Sequence, residues 1–182
     1  MITLGVLADT HIPDRAPQLN PRIREIFLRA EVNAILHAGD VSTSGVLDEL
    51  KQVAPLYTVQ GNRDLFYLRQ LPMQIEMDFE GVSVGMAHGH GTFSRYMVDK
   101  IHRAMRGRKV GIYLQRLLQA FPTMDVIVFG HLHVPCNFRL EGKLLFNPGS
   151  TSYPWPRGDP ATVGLLHVDG NAGVEGEIIS LG

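Results

Sequence analysis

Short apolar runs that each end on a small polar cluster recur along this chain, and their spacing predicts its elements. Ile2 to Ala8 reads as a buried strand that stops at Asp9-Thr10-His11, and Pro21 to Ala30 then carries Ile23, Ile26 and Phe27 at helical spacing. The unit repeats. Ala34 to His37 is strand-like and ends at Gly39-Asp40, Val46, Leu47 and Leu50 suit one helix face, and Leu56 to Val59 predicts a third strand before Gly61-Asn62. A βαβαβ order implies parallel strands. After Leu71-Pro72 the texture changes to two alternating segments, Gln74 to Phe79 and Val82 to Ala87, around Glu80-Gly81, which predicts a hairpin. Gly91 to Met124 has the spacing of two helices broken at Arg106-Gly107-Arg108. Further strands are expected at Val126 to Phe129, around Asn137 to Leu140, at Leu144 to Phe146, at Thr162 to Val168 and at Glu177 to Ser180. The plan expected is an α/β fold of two packed mixed β-sheets flanked by helices, with residues 1–182 forming a single domain.

Bulk properties narrow the field. With 182 residues, 45% of them apolar, the chain can bury one proper core, and its formal charge of -1 gives no global field for nucleic acid or an anionic membrane. A single cysteine, Cys136, excludes an internal disulfide framework. Met1 leads directly into the first strand without a basic leader, and no apolar run approaches the roughly 18 residues of a membrane span, so a cytoplasmic location is expected.

Five polar clusters follow predicted strands: Asp9-Thr10-His11, Gly39-Asp40, Gly61-Asn62-Arg63-Asp64, His88-Gly89-His90 and Gly130-His131-Leu132-His133. Loops beyond the carboxyl ends of strands in an α/β fold converge on one crevice, so donors scattered in sequence meet there. Taken singly, each cluster is also what a turn or a helix cap looks like. Together they supply the oxygen and imidazole donors of divalent first-row metals, and no thiolate cluster competes. The spacing of His131 and His133 puts both rings on one side of an extended segment. Seven donors exceed the protein shell of one ion, which makes two plausible.

In these motifs the sequence resembles the calcineurin-like metallophosphoesterases, whose signature runs D-x-H, G-D, G-N-H-[DE], G-H and G-H-x-H. The compact length, Ala8-Asp9-Thr10-His11-Ile12-Pro13, the His88-Gly89-His90 form and Asn147-Pro148-Gly149-Ser150 are similar to the small YfcE-type phosphodiesterase branch. The resemblance implies two divalent metal ions, manganese first and nickel, iron(II) or zinc as alternatives. Asp9, His11 and His133 would hold one, Asn62, His88 and His131 the other, and Asp40 would bridge them. It implies hydrolysis of a small or nucleotide-like phosphodiester by in-line attack of a metal-bridging hydroxide, with Asp40, Asn62, Arg63 and His90 in the catalytic set and no membrane or nucleic-acid partner. His88 is the expected ligand of its pair, and His90 a residue near metal or substrate. The rival implication is a metal-binding protein-interaction scaffold like the retromer subunit of this fold, with Leu65, Phe66, Tyr67 and Leu68 as its surface, or a phosphomonoesterase.

Arg63 stands where the wider family has a histidine. Arginine stays charged and cannot protonate a leaving oxygen, but its planar fork can hold a phosphate oxygen; the alternative is a plain ion pair with a neighbouring carboxylate. Asp64 is expected to orient a ligand. Residues 91–124 carry seven basic side chains against Asp99 alone, a net +6 that leaves -7 for the rest. That segment is either an overhang that attracts phosphorylated substrate, a solvated helical face, or a homo-oligomer contact. His37 reads as a hydrogen-bonded core histidine, and Trp155, between Pro154 and Pro156, as a loop anchor or a stacking platform for a base.

Overall fold

The computed structural model describes residues 1–91 and 110–182. Most of the basic segment, including the first of the two helices expected there, therefore lies outside the described residues. Among the described residues, ten strands form two five-stranded sheets. In the first sheet β1 (Ile2–Leu7), β2 (Ala34–His37) and β3 (Leu56–Thr58) run parallel, and β9 (Thr162–Asp169) and β10 (Gly173–Ser180) extend it antiparallel on the far side of β1. The second sheet has the order β4 (Gln74–Phe79), β5 (Val82–Ala87), β6 (Val126–Phe129), β8 (Lys143–Asn147), β7 (Cys136–Leu140). Its middle strands β5, β6 and β8 are parallel, and β4 and β7 close its edges antiparallel.

Three helices are described. In α1 (Pro21–Arg29) the Asn20 side chain accepts the Arg22 N–H at 3.0 Å and Pro21 opens the first turn, where its missing N–H is not needed. Ile23 and Phe27, four apart, face inward. The inward face of α2 (Ser44–Lys51) is Val46, Leu47 and Leu50, and that of α3 (Val110–Ala120) centres on Leu117.

Three apolar clusters show the layering. Leu4, Val6 and Leu36 of the first sheet meet Val84, Met86, Val128 and Phe146 of the second in the central core. The outer face of the first sheet packs Leu7 and Ile35 against Ile23, Phe27 and Leu50 of α1 and α2, and the outer face of the second packs Ile127 and Phe129 against Leu117 and Phe121. This is the expected pair of mixed sheets between helices. β10 begins earlier than expected, at Gly173, because its whole length pairs with β9 across the turn at Asn171. No helix among the described residues is long and apolar enough to cross a membrane.

Candidate metal centre

Parallel strands deliver the polar clusters to one place, and backbone hydrogen bonds lace the loops together. Asp9 N–H donates to Gly39 O and His11 N–H to Asp40 O, both at 3.0 Å, and Gly130 N–H donates to His88 O at 3.3 Å. His131 N–H donates to Asp9 Oδ2 at 2.9 Å, joining the first loop to the fifth. The approach is close enough to require glycine: a Cβ on Gly61 would stand 2.2 Å from Asp40 N, and one on Gly130 would stand 2.9 Å from Ala38 O. Asp9, His11, Asp40, His131 and His133 all adopt positive φ, between 48° and 68°. Each such residue costs about 1 kcal/mol or more, so strain is concentrated on the expected ligands, as it is at functional sites.

The donors fall into two sets. In one, His11 Nε2 and His133 Nε2 face each other at 3.2 Å, with Asp9 Oδ1 3.6 Å from the first and 3.3 Å from the second. In the other, Asn62 Oδ1 lies 3.2 Å from His88 Nε2 and 3.0 Å from His131 Nδ1. Asp40 stands between them, Oδ2 3.7 Å from His11 Nε2 and Oδ1 3.5 Å from His88 Nε2. Ligands bound at about 2.1 Å to a common ion sit about 3 to 4 Å apart, which is the spacing found. Two groups, Asp9 with His11 and His133, and Asp9 with Asp40 and His88, each bring their donor atoms within 4.8 Å of one another. Asp9 Oδ1 is buried and accepts no hydrogen bond. An orphaned carboxylate oxygen facing imidazole nitrogens suits a cation.

Neighbouring groups fix these side chains. His88 Nδ1 meets Ala38 O at 2.7 Å and His133 Nδ1 meets Tyr153 O at 2.5 Å, which places the proton on Nδ1 and leaves Nε2 facing the centre. Asp64 takes the Asp40 and Gly61 N–H groups on Oδ2, at 2.9 and 2.8 Å, and the Ser42 N–H on Oδ1 at 2.8 Å. Ser150 Oγ donates to Asp9 O at 2.8 Å and Asn147 Nδ2 to Gly130 O at 2.9 Å. The turn Asn147 to Ser150 thus buckles the first and fifth loops, a role that only the resemblance hinted at. Tyr153 had no signal beyond its place after that turn.

Burial alone would raise both carboxyls, but His133 and His11 hold Asp9 well below the ordinary range, and His88 holds Asp40 at about 2. Burial would likewise lower His88, yet Asp40 and Asp9 push it up to about 9. His131 goes the other way, to about 3, through burial and the charge of His88. Two buried, ionised carboxylates thus favour a proton on His88, a positive charge that a bound cation would supply instead.

His90 is buried beside this centre, its ring centroid 5.3 Å from that of His88, but it joins neither donor group. Burial first, then the His88 charge, lowers it to about 3. Arg63 lies at the exposed rim, where Nη1 pairs with Asp14 Oδ2 at 3.4 Å, while its backbone N–H donates to Asp40 Oδ1 at 2.7 Å. Of the four apolar residues considered as a partner surface, Phe66 and Tyr67 are 70% and 75% exposed, but Leu68 is 3% exposed and belongs to the core. Its helical-turn contact back to Asp64, Leu68 N–H to Asp64 O at 2.8 Å, turns it inward.

The profile of the calcineurin-like phosphoesterase superfamily domain matches residues 2–171. The chain belongs to that superfamily. A relative in Methanothermobacter thermautotrophicus, named a probable metallophosphoesterase, is 35% identical over 179 residues, covering 98% of this chain and 92% of its own. Among solved structures, Vps29 of Chaetomium thermophilum matches with a TM-score of 0.74 at 18% identity over 98% of this chain and 95% of its own. An archaeal phosphodiesterase matches with a TM-score of 0.70 at 21% identity, over 98% and 99%. Both share the two-sheet fold. Calcineurin-like phosphoesterases use divalent metals, and the two donor groups of this chain fit that requirement.

Proposed function

We propose that the chain is a dinuclear metal-dependent phosphodiesterase acting on a small or nucleotide-like phosphodiester, with manganese as the first candidate ion. The observation that carries this reading is Asp40, whose two oxygens face histidines of two different donor sets. Asp9, His11 and His133 would hold one ion, Asn62, His88 and His131 the other, and Asp40 would be shared. Bound divalent ions supply Lewis acidity toward phosphate oxygens and lower the pKa of water. The chain's own work is then positioning. Asn62, His131 and His133 are only half-buried and mark the mouth, so substrate meets the centre from their side. His90, neutral above about pH 3, offers a substrate a hydrogen bond without a charge.

The preference for diesters rests on Arg63. Its position at the mouth suits it to hold a phosphate oxygen, but it cannot protonate a leaving alkoxide, which favours esters with good leaving groups. The test is metal analysis of the purified chain, followed by turnover of a chromogenic diester and the matching monoester, with Asp40→Ala as control. Bound divalent metal and a diester rate at least a hundredfold lower in the variant are expected. Absence of metal together with variant-insensitive turnover would overturn the enzyme reading, and faster monoester turnover would overturn the diester preference.

The exposed pair Phe66 and Tyr67 favours a second reading, a metal-binding scaffold that docks a protein through that loop. It requires metal binding without turnover in the same assay.

A further inference from the structure

Tyr153 carries two guanidinium groups. The Arg15 guanidinium carbon lies 4.4 Å from the Tyr153 ring centroid and that of Arg157 lies 4.3 Å from it, and Arg157 also donates to Tyr153 Oη. The ring itself is tied to the metal centre. It stands edge-on to His133 with centroids 5.8 Å apart and planes at 85°, and the Tyr153 carbonyl meets His133 Nδ1. The main chain of Arg15 is tied to the same centre, its backbone N–H donating to His11 O at 2.8 Å. Both guanidinium carbons therefore lie within about 10 Å of the His133 ring centroid.

Both arginines are exposed, and among the described residues neither has a carboxylate oxygen within 4.0 Å. Arg63, the third guanidinium of this rim, does have one, in Asp14. A guanidinium stacked on an aromatic face spends its π surface there and keeps edge N–H groups for an anion. The stack also restricts the long side chain beforehand, so less rotamer freedom is lost when a ligand binds. Two such preset cations beside a phosphate-binding centre are the arrangement that reads a second phosphate.

We propose that Arg15 and Arg157, stacked on Tyr153, form an anion subsite that binds an additional phosphate of the substrate, beyond the one at the metal centre. This rests on the reading of that centre as the seat of the scissile phosphate. The preferred substrate class is then a diester bearing a further phosphomonoester, and simple diesters are its poor analogues.

Trp155 is the chain's single tryptophan and lies between Tyr153 and Arg157 in sequence, so its fluorescence reports binding without turnover. The intact protein, with Mn2+ present, is titrated with adenosine 5′-monophosphate and with adenosine 3′,5′-bisphosphate. Wild type is expected to bind the bisphosphate at least tenfold more tightly. In the Arg15→Ala/Arg157→Ala double variant that ratio should fall to about twofold or less, and Arg15→Lys/Arg157→Lys should lie between, since charge is kept but the fork is lost. Binding of the monophosphate by the double variant shows that it is folded. Equal affinities in wild type, or a tenfold preference that survives in the alanine double variant, would overturn the subsite alone. If wild type bound neither nucleotide, the phosphate-binding reading of the metal centre would fall, and the subsite with it.

Discussion

Asp64 holds Asp40 through its backbone: the Asp40 N–H donates to Asp64 Oδ2 at 2.9 Å, and the same carboxylate also takes the N–H groups of Gly61 and Ser42. Asp64 is fully buried and its carboxylate is taken up by these three backbone N–H groups, so its effect on the centre passes through where they place Asp40 and Asn62. Replacing it by alanine leaves three buried N–H groups without an acceptor, at about 1 to 3 kcal/mol each before relaxation. Urea unfolding of the metal-free protein should show a loss of about 3 kcal/mol or more, and calorimetry should show weaker metal binding. Asp64→Asn should do nearly as badly, because an amide NH2 must then face an N–H. An asparagine variant with unchanged stability and metal affinity would show that the three contacts do not support the centre.

Two glycines answer the same substitution with opposite signs. A methyl group on Gly61 would meet Asp40 N and Oδ1 at 2.2 Å, and neither can move without opening the loop lacing. Gly61→Ala should therefore destabilise by about 3 kcal/mol or more and abolish metal binding. Gly111, in the first turn of α3, has nothing among the described residues within 4 Å of its added methyl, and Gly111→Ala should be neutral or stabilise by up to about 1 kcal/mol. Thermal melts of the two variants in parallel check the contrast. Similar shifts in both would mean that close approach is not what selects glycine at position 61.

The convergence of the seven donors on one place was legible in the sequence because each sits just after a strand whose apolar run is itself legible, and parallel strands bring such positions together. Their supports were not. Ser150 reaches Asp9 O across 141 residues only because β9 pairs with β1, and the pairing of β5, β6 and β8 as parallel neighbours is a matter of topology that no local period encodes. Asp64 was readable as a positioning residue from its place after Gly61-Asn62, but not as the acceptor for three N–H groups on two loops. The Tyr153 stack was invisible for the same reason, since Arg15 and Arg157 lie far apart in the chain and meet on one ring. Leu68 misled because a turn residue among apolar neighbours looks exposed until the turn is seen to face the core.

Arg63 makes a kinetic prediction about leaving groups. If arginine at position 63 leaves the departing oxygen without an acid, as proposed, the rate on aryl diesters should fall steeply as the leaving phenol becomes more basic. Arg63→His restores a group that can give a proton, at a rim position whose present ion pair with Asp14 is half-exposed and contributes little to stability. The variant should turn over a phenyl diester about tenfold or more faster relative to a p-nitrophenyl diester than wild type does, since general acid catalysis is worth about a hundredfold or more when well placed. Equal leaving-group slopes in the two proteins would remove Arg63 from this account.

His37 gives the pH dependence of stability a separable component. Gly39 N–H donates to His37 Nδ1 at 3.2 Å, so the ring proton sits on Nε2, 3.2 Å from Thr10 Oγ1, and that hydroxyl in turn donates to Val41 O at 3.2 Å. The chain needs a neutral imidazole, and burial lowers His37 from 6.5 to about 4. As pH falls below 6.5 the unfolded chain takes up a proton at this residue and the folded chain does not, so stability is lost from 6.5 down to about 4. Asparagine keeps an oxygen acceptor near Nδ1 and does not titrate. Between pH 7.5 and 5, wild type should therefore lose on the order of 2 kcal/mol more than His37→Asn, at about 1.4 kcal/mol per pH unit. Other buried groups, His90 and His131 among them, act in both proteins and cancel in the difference. Parallel stability profiles for the two proteins would mean that His37 accepts its proton inside the fold as readily as outside it.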